Sequence, residues 1–270
     1  MTDAPGSGQR VLRAGPAPED SDHAPLVFIH GAFAGAWTWA EHFLPYFGDR
    51  GFACLAVNLP GRKGMPDYPQ LHDFGIQDFV DAVSEVVDTL PRPPVLIGHS
   101  MGGFVAQRLA MERDVAAVVL MSSVPPTGLA GPSVALALSR PMLIWEIARI
   151  ESTGEPLDSL ETLHQSIFNN HVPKAVSERL LPWFQMESRR AVMDQHTVFM
   201  PPLMGLRGIP VLVLGAEHDN LIPPAFVYGT AAFLGTQAHI FDGMGHAVML
   251  EDDWKDAAEA IADWLRELDV

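Results

Sequence analysis

Residues 94–105 read PVLIGHSMGGFV, and this short stretch decides the fold. The apolar run Pro94–Gly98 has the length and composition of a buried strand. It passes straight into Gly98-His99-Ser100-Met101-Gly102, a G-x-S-x-G pattern. Phe104, Val105 and Leu109 then recur at helical spacing, with the small residues Gly103, Ala106 and Ala110 between them. A serine on so sharp a strand-to-helix turn projects its hydroxyl above the sheet, and only small neighbours two positions away let the backbone fold that tightly. The bare pattern is a weak signal. Its strand–turn–helix setting makes Ser100 a candidate nucleophile.

Outward from this turn, the chain alternates short apolar runs with helix-like segments. Leu26–His30, Cys54–Asn58, Ala117–Met121, Val211–Gly215 and Ala238–Phe241 are nearly continuous in apolar side chains, as strands covered on both faces are. Over 75–90, Ile76, Phe79, Val80, Val83 and Val87 form an apolar stripe opposite Asp78, Asp81, Glu85 and Asp88. Trp254, Ala258, Ile261, Leu265 and Leu268 repeat this over 251–268. Short connections between such elements predict a doubly wound α/β fold with a mostly parallel sheet. The alternation breaks once: from 125 to 205 only helix-like stretches occur, such as 158–170 and 174–190, bracketed by prolines. That is too long for a loop inside a compact domain, so it is expected to be a helical lid. The expected organisation is a loose arm over 1–25 with at most one short strand near Val11–Arg13, a core over 26–124 and 206–270, and the lid over 125–205.

A nucleophilic serine needs a base, and a base needs a carboxylate to fix its tautomer. His246 follows the last expected strand in the loop Asp242-Gly-Met-Gly-His246, which brings it to the carboxyl edge where Ser100 emerges. His218 is its rival, while His99, beside Ser100 on the tight turn, should point elsewhere. After Val211–Gly215 comes Ala216-Glu217-His218-Asp219-Asn220; Asp219 is the preferred acid and Glu217 the alternative. Glu217, His218 and Asp219 as metal ligands carry little weight, because adjacent side chains do not converge easily on one ion. The oxyanion donors are expected from the backbone N–H groups of Ala32, after His30-Gly31, and of Met101, with Phe33 competing if the loop turns one residue later.

These pieces together resemble the α/β-hydrolase superfamily from Leu26 to Leu268: His30-Gly31-Ala32, Asn58-Leu59-Pro60-Gly61-Arg62, Gly98 to Gly103, Gly215 to Pro223, and Gly245-His246 followed by Glu251. The segment HGAFAGAWTW, His30 to Trp39, looks most like the plant methyl-esterase and hydroxynitrile-lyase branch. The resemblance implies an α/β-hydrolase fold, a Ser100–Asp219–His246 triad in that chain order, an oxyanion hole at Ala32 and Met101, and no cofactor or metal. The chain departs from that pattern in one respect: about 25 residues precede the first clear core strand, so the antiparallel strands that commonly open this fold are expected to be shortened or partly missing. Serine at the elbow disfavours dehalogenases and epoxide hydrolases, which place Asp there. His30-Gly31, where the lyases resemble His-Thr, ranks lyase chemistry low. A carboxylic ester hydrolase is expected; a thioesterase, a C–C hydrolase or a non-catalytic ligand receptor on the same fold are the alternatives.

Composition limits the partners. A net charge of −16 should repel polyanions and anionic surfaces, so neither nucleic acid nor membrane is an expected partner. One cysteine, Cys54, leaves no disulfide framework. No run of about 18 apolar residues occurs, and the first residues lack a secretory signal's apolar stretch, so a cytoplasmic monomer or homodimer is expected. The lid is rich in Met and aromatics, among them Met142, Trp145, Phe168, Trp183, Phe184, Met193, Phe199, Met200 and Met204. Such side chains line adaptable apolar pockets or pack a lid's own core. Phe33, Trp145 and Trp183 are the expected substrate contacts, and a small to medium, mainly apolar ester the expected substrate.

Overall fold

The computed structural model of the chain describes residues 3–153, 160–168, 172–196, 206 and 208–270. Seven strands form one sheet: β1 (Val11–Ala14), β2 (Leu26–Ile29), β3 (Cys54–Val57), β4 (Val95–His99), β5 (Ala117–Met121), β6 (Val211–Ala216) and β7 (Ala238–Phe241). Their spatial order is β1-β3-β2-β4-β5-β6-β7. Every neighbouring pair is parallel except β1 with β3, which is antiparallel. Residues 11–14 are therefore an edge strand, and Val11 stands opposite Val57. The antiparallel opening of the sheet is reduced to these four residues.

The continuous apolar runs have the cause expected of them. Strands β2 to β5 are buried at every residue, because both sheet faces carry a core. On one face Phe28, Ile97 and Val119 meet Trp39, Phe43 and the last helix through Ile261 and Leu265. On the other, Val27, Leu96 and Val118 meet Phe79 and Val83 of the helix Ile76–Val87 and Phe104 of the helix Met101–Glu112. The sequence stripe over 251–268 starts late. The helix is Trp254–Leu268, preceded by a 3-10 turn Val248–Leu250, and Glu251 is buried between them.

Two consequences position the site. The register aligns Ile29 with Gly98, Met121 with Leu214 and Ala216 with Phe241, so the carboxyl ends of β2, β4, β6 and β7 open on one edge. The chain also reverses direction across the sheet between β2 and β4, and a crevice opens at such a switch point. Between β5 and β6 the described residues contain helices and no strand. The helix-like stretch 174–190 is broken into Lys174–Leu180, a 3-10 turn Leu181–Trp183, an extended run 184–188 and Arg189–Asp194. Pro182 stops the helix, and the extended run is where the insertion touches the loop after β2. No described helix is long and apolar enough to cross a membrane.

Candidate active site

Ser100 caps the helix Met101–Glu112 with φ 53° and ψ −120°, a left-handed conformation that a non-glycine residue holds only when its surroundings enforce it. The enforcement is steric and hydrogen-bonded. A Cβ at Gly98 would stand 2.4 Å from the Gly102 carbonyl oxygen, and one at Gly102 would stand 2.2 Å from that of Ile29. Backbone packs on backbone with no room for a methyl group. The Ser100 N–H donates to the Met121 carbonyl at 3.0 Å, and the Ser100 carbonyl accepts from Val124 N–H at 3.1 Å. The turn is thus tied to the end of β5 on both sides of its peptide.

His246 and Asp219 arrive from the neighbouring strand ends. His246 Nδ1–H donates to Asp219 Oδ2 at 2.8 Å, and both side chains are buried. A carboxylate only accepts, so this bond assigns the proton to Nδ1 and leaves Nε2 an acceptor. Asp219 Oδ1 accepts from the N–H groups of Leu221 and Ile222 at 2.9 and 2.8 Å, which fixes the carboxylate's plane. Glu217 is spent elsewhere, on Gly243 N–H at 2.9 Å, and half-exposed His218 lies beside it. Of the two expected acids, Asp219 is the one that bonds His246.

His99, expected to point elsewhere, instead lies against His246 and lines the same cavity as Ser100. Its Nε2–H donates to the His246 carbonyl at 2.9 Å, and its ring centre lies 4.6 Å from that of His246. Burial, then the neighbouring His246, holds its pKa well below the ordinary histidine value. Buried Glu251 accepts Gly245 N–H at 2.8 Å. The His246 backbone is thereby gripped on both sides by residues whose role the sequence left unread.

The loop after β2 is organised by His30, wholly buried and with its pKa lowered to about 3 by burial and by Arg62. Neutral imidazole suits its bonds: Nδ1–H donates to the Gly31 carbonyl at 2.8 Å, and Nε2 accepts Leu59 N–H at 3.2 Å. A planar trans peptide aims its N–H opposite its carbonyl. Holding the Gly31 carbonyl toward His30 therefore turns Ala32 N–H to the other side. Neither Ala32 N–H nor Met101 N–H meets an acceptor among the described residues. Phe33 has φ 60°, and its N–H is taken by Glu187 Oε2 at 3.1 Å, so it is not a free donor.

Ser100, His246, Ala32 and Phe33 face one cavity of about 340 Å³. Its remaining wall is mostly apolar, including Leu136, Ile144, Ile147, Phe184, Ile222 and Met249. None of the described lining residues is Asp, Glu, Lys or Arg, in a chain that carries a net −16. Two expected contacts are misplaced. Trp145 lies on the outer side of the helix Pro141–Thr153, 59% exposed, because Ile144, Ile147 and Ala148 take the cavity side. Trp183 packs edge-on to Trp37 at 5.5 Å and does not line this cavity; the next residue, Phe184, does. Phe199, Met200 and Met204 lie outside the described residues.

Comparison with known proteins agrees with this fold. Residues 26–263 match the model of the alpha/beta hydrolase family. The chain is 25% identical over 257 residues to phospholipase YtpA of Bacillus subtilis, spanning 89% of this chain and 94% of that protein. It is 30% identical over 214 residues to a Mycobacterium tuberculosis protein provisionally named non-heme bromoperoxidase BpoC, covering 74% of this chain and 78% of that one. The crystal structure of BpoC superposes with a TM-score of 0.76 at 21% identity, over 96% of this chain and 95% of that chain. Monoacylglycerol lipase of Paleococcus ferrophilus superposes at 0.71 and 19% identity, over 96% and 98%.

Proposed function

The chain belongs to the alpha/beta hydrolase family, and on that premise we propose that it is a serine carboxylesterase with Ser100, His246 and Asp219 as its catalytic triad. The observation that carries the proposal is the 2.8 Å bond between His246 Nδ1–H and Asp219, in a cavity shared with the strained Ser100. Esterases and lipases among the structural neighbours support ester hydrolysis in general.

Ser100 Oγ attacks the ester carbonyl carbon while its proton passes to His246 Nε2. The carbonyl π pair moves onto oxygen, where the Ala32 and Met101 N–H groups receive it. Asp219 steadies the imidazolium through Nδ1–H. Collapse of the intermediate expels the alkoxide, which takes the Nε2 proton and leaves as alcohol. Water then adds to the acyl carbon, giving its proton to Nε2. A second collapse breaks the Ser100 ester bond; Oγ recovers the proton, and the carboxylic acid departs.

An uncharged apolar wall disfavours charged groups near the reacting carbon. The cavity of about 340 Å³ sits at the small end of ligand-site volumes, which run from roughly 300 to 1,000 Å³. The substrate proposed is accordingly a neutral ester of small to medium size, with the helical insertion acting as its lid. Folded protein at neutral pH should be labelled at Ser100 by a fluorophosphonate and should hydrolyse p-nitrophenyl butyrate, with both activities absent from Ser100→Ala. Absence of labelling and of turnover above that variant would sink the proposal.

A further inference from the structure

Arg62 and Glu187 form an ion pair at 2.8 Å with side chains 2% and 0% exposed, joining the loop after β3 to the extended run of the insertion. No step of the hydrolysis above uses it. Taking two charges out of water is costly, and such a pair adds little stability over apolar residues of the same size. The contacts of Glu187 show what else it does. Oε1 accepts Arg62 Nη2–H and Ser188 N–H, the latter at 2.7 Å, and Oε2 accepts Phe33 N–H at 3.1 Å. Neighbouring Gln185 adds to the grip: its N–H donates to the Phe33 carbonyl at 2.9 Å, and its Nε2 donates to the Ala34 carbonyl at 3.0 Å.

Phe33 is the residue immediately after the proposed oxyanion donor Ala32, and it holds a left-handed φ of 60°. A strained loop relaxes unless something holds it. His30 holds the peptide before Ala32 by the Gly31 carbonyl, and Glu187 holds the peptide after it by Phe33 N–H. We infer that Glu187, anchored by Arg62, is a positioning residue that keeps the Ala32 N–H aimed at the reaction's developing oxyanion. The requirement is for a carboxylate. Both oxygens face N–H donors, so an amide in its place would set its own NH2 against one of them. The inference rests on the hydrolase proposal above, and it makes part of the oxyanion hole depend on a residue contributed by the insertion.

The test compares wild type, Glu187→Gln and the double variant R62M/E187M, which removes both charges together and leaves no unpaired buried ion. Active sites are counted by exhaustive fluorophosphonate labelling, so that every rate refers to folded enzyme. For p-nitrophenyl butyrate, kcat in Glu187→Gln is expected to fall by about ten- to a hundredfold, less than the loss of a whole oxyanion donor, with KM within about twofold. Affinity for an aryl trifluoromethyl ketone should fall by the same factor, because Ser100 adds to that carbonyl and creates an oxyanion. Inhibition by hexanol, a neutral occupant, should stay constant. If Glu187→Gln does not fold, R62M/E187M carries the same expectations. A role confined to fastening the insertion would lower thermal stability or raise KM and leave kcat and ketone affinity at wild-type values; that result overturns the inference alone. Wild type that neither labels nor turns over would overturn the hydrolase proposal and this inference with it.

Discussion

The two walls of the cavity are built by opposite rules. On the sheet edge the backbone is over-determined: Gly98 and Gly102 touch neighbouring backbone with no space for a methyl group, and Ser100 is held in a strained conformation by ladder hydrogen bonds. On the insertion the helices are loosely amphipathic. The helix Pro141–Thr153 turns Ile144 and Ile147 inward while Met142 and Trp145 stand in solvent. A charge-relay geometry tolerates errors of only a fraction of an ångström, whereas a wall that sorts acyl groups by size tolerates repacking. In the proposed hydrolase the reacting groups belong to the rigid wall and chain-length selectivity to the adaptable one, so substitutions on each should fail in different ways.

The largest effect should come from the rigid wall's electrostatics. Asp219→Asn keeps the side chain's shape but presents an amide to His246, and kcat is expected to fall by about 10⁴-fold. Glu217→Gln, two residues away and bonded to Gly243 N–H with His218 beside it, should change kcat by less than about threefold. Steady-state rates on p-nitrophenyl butyrate decide this, and equal losses in both variants would contradict the assignment of the acid.

Next is a pair of identical substitutions on the two walls. Gly102→Ala pushes a methyl group to 2.2 Å from the Ile29 carbonyl oxygen and 2.6 Å from that of His30, both rigid strand-end backbone. Unfolding in urea should show a loss of more than about 4 kcal/mol, the range reserved for severe steric or strain defects. Gly131→Ala, in the helix Ala130–Ser139, first meets the ring edge of Phe226 at 2.7 Å, the far end of a side chain that can swing aside. Helix propensity favours that change by up to about 1 kcal/mol, so its net effect should stay within about 1 kcal/mol of zero. A comparable loss at both glycines would erase the distinction between the walls.

A third, graded effect follows from the histidines behind the rigid wall. His30, at about 3, and His99, also lowered, are neutral in the folded protein and titrate near 6.5 when unfolded. The unfolded state therefore binds more protons below pH 6.5, and stability must fall as pH drops from there toward the folded values. Above 6.5 these two groups contribute no slope. Each can add at most about 1.4 kcal/mol per pH unit between pH 6 and 4. Urea midpoints at pH 7, 6 and 5 test this, and stability that rises on acidification would refute it.

What the sequence disclosed follows the same division. The strands are legible because buried parallel strands are continuous apolar runs, and Ser100, Asp219 and His246 stand out as candidates because functional loops follow strand ends. The glycine-crowded turn announces itself by its spacing together with the strand before it and the helix after it. The stretch 174–190 is helix-like in sequence, and Pro182 is the local sign of its break. Glu187 and Gln185 carry no such sign, since their purpose lies in hydrogen bonds to residues more than 120 positions away. Arg62 was visible within Asn58–Arg62, but nothing local says that it is buried with a carboxylate. His99 holds the His246 carbonyl and Glu251 the Gly245 N–H through bonds that leave no periodic signature.

The smallest effect is the most direct check on how the insertion faces the cavity. Trp145 is the kind of residue that composition assigns to a binding pocket: large, aromatic, in a helix over the site. A helix turns about 100° per residue, so Ile144 and Ile147 share a side, and Trp145 is carried off it. Trp145→Ala should therefore leave kcat/KM within about twofold of wild type for p-nitrophenyl esters from acetate to octanoate, as expected for a surface substitution away from the site. Ile147→Trp, on the cavity side, should block the space that longer acyl chains need. It should cut kcat/KM for octanoate by about tenfold or more, in line with the value of one or two methylenes in an apolar pocket, while sparing acetate. Chain-length discrimination that responds to Trp145 and ignores Ile147 would mean that the helix presents its other side to substrate, and the adaptable wall would have to be redrawn.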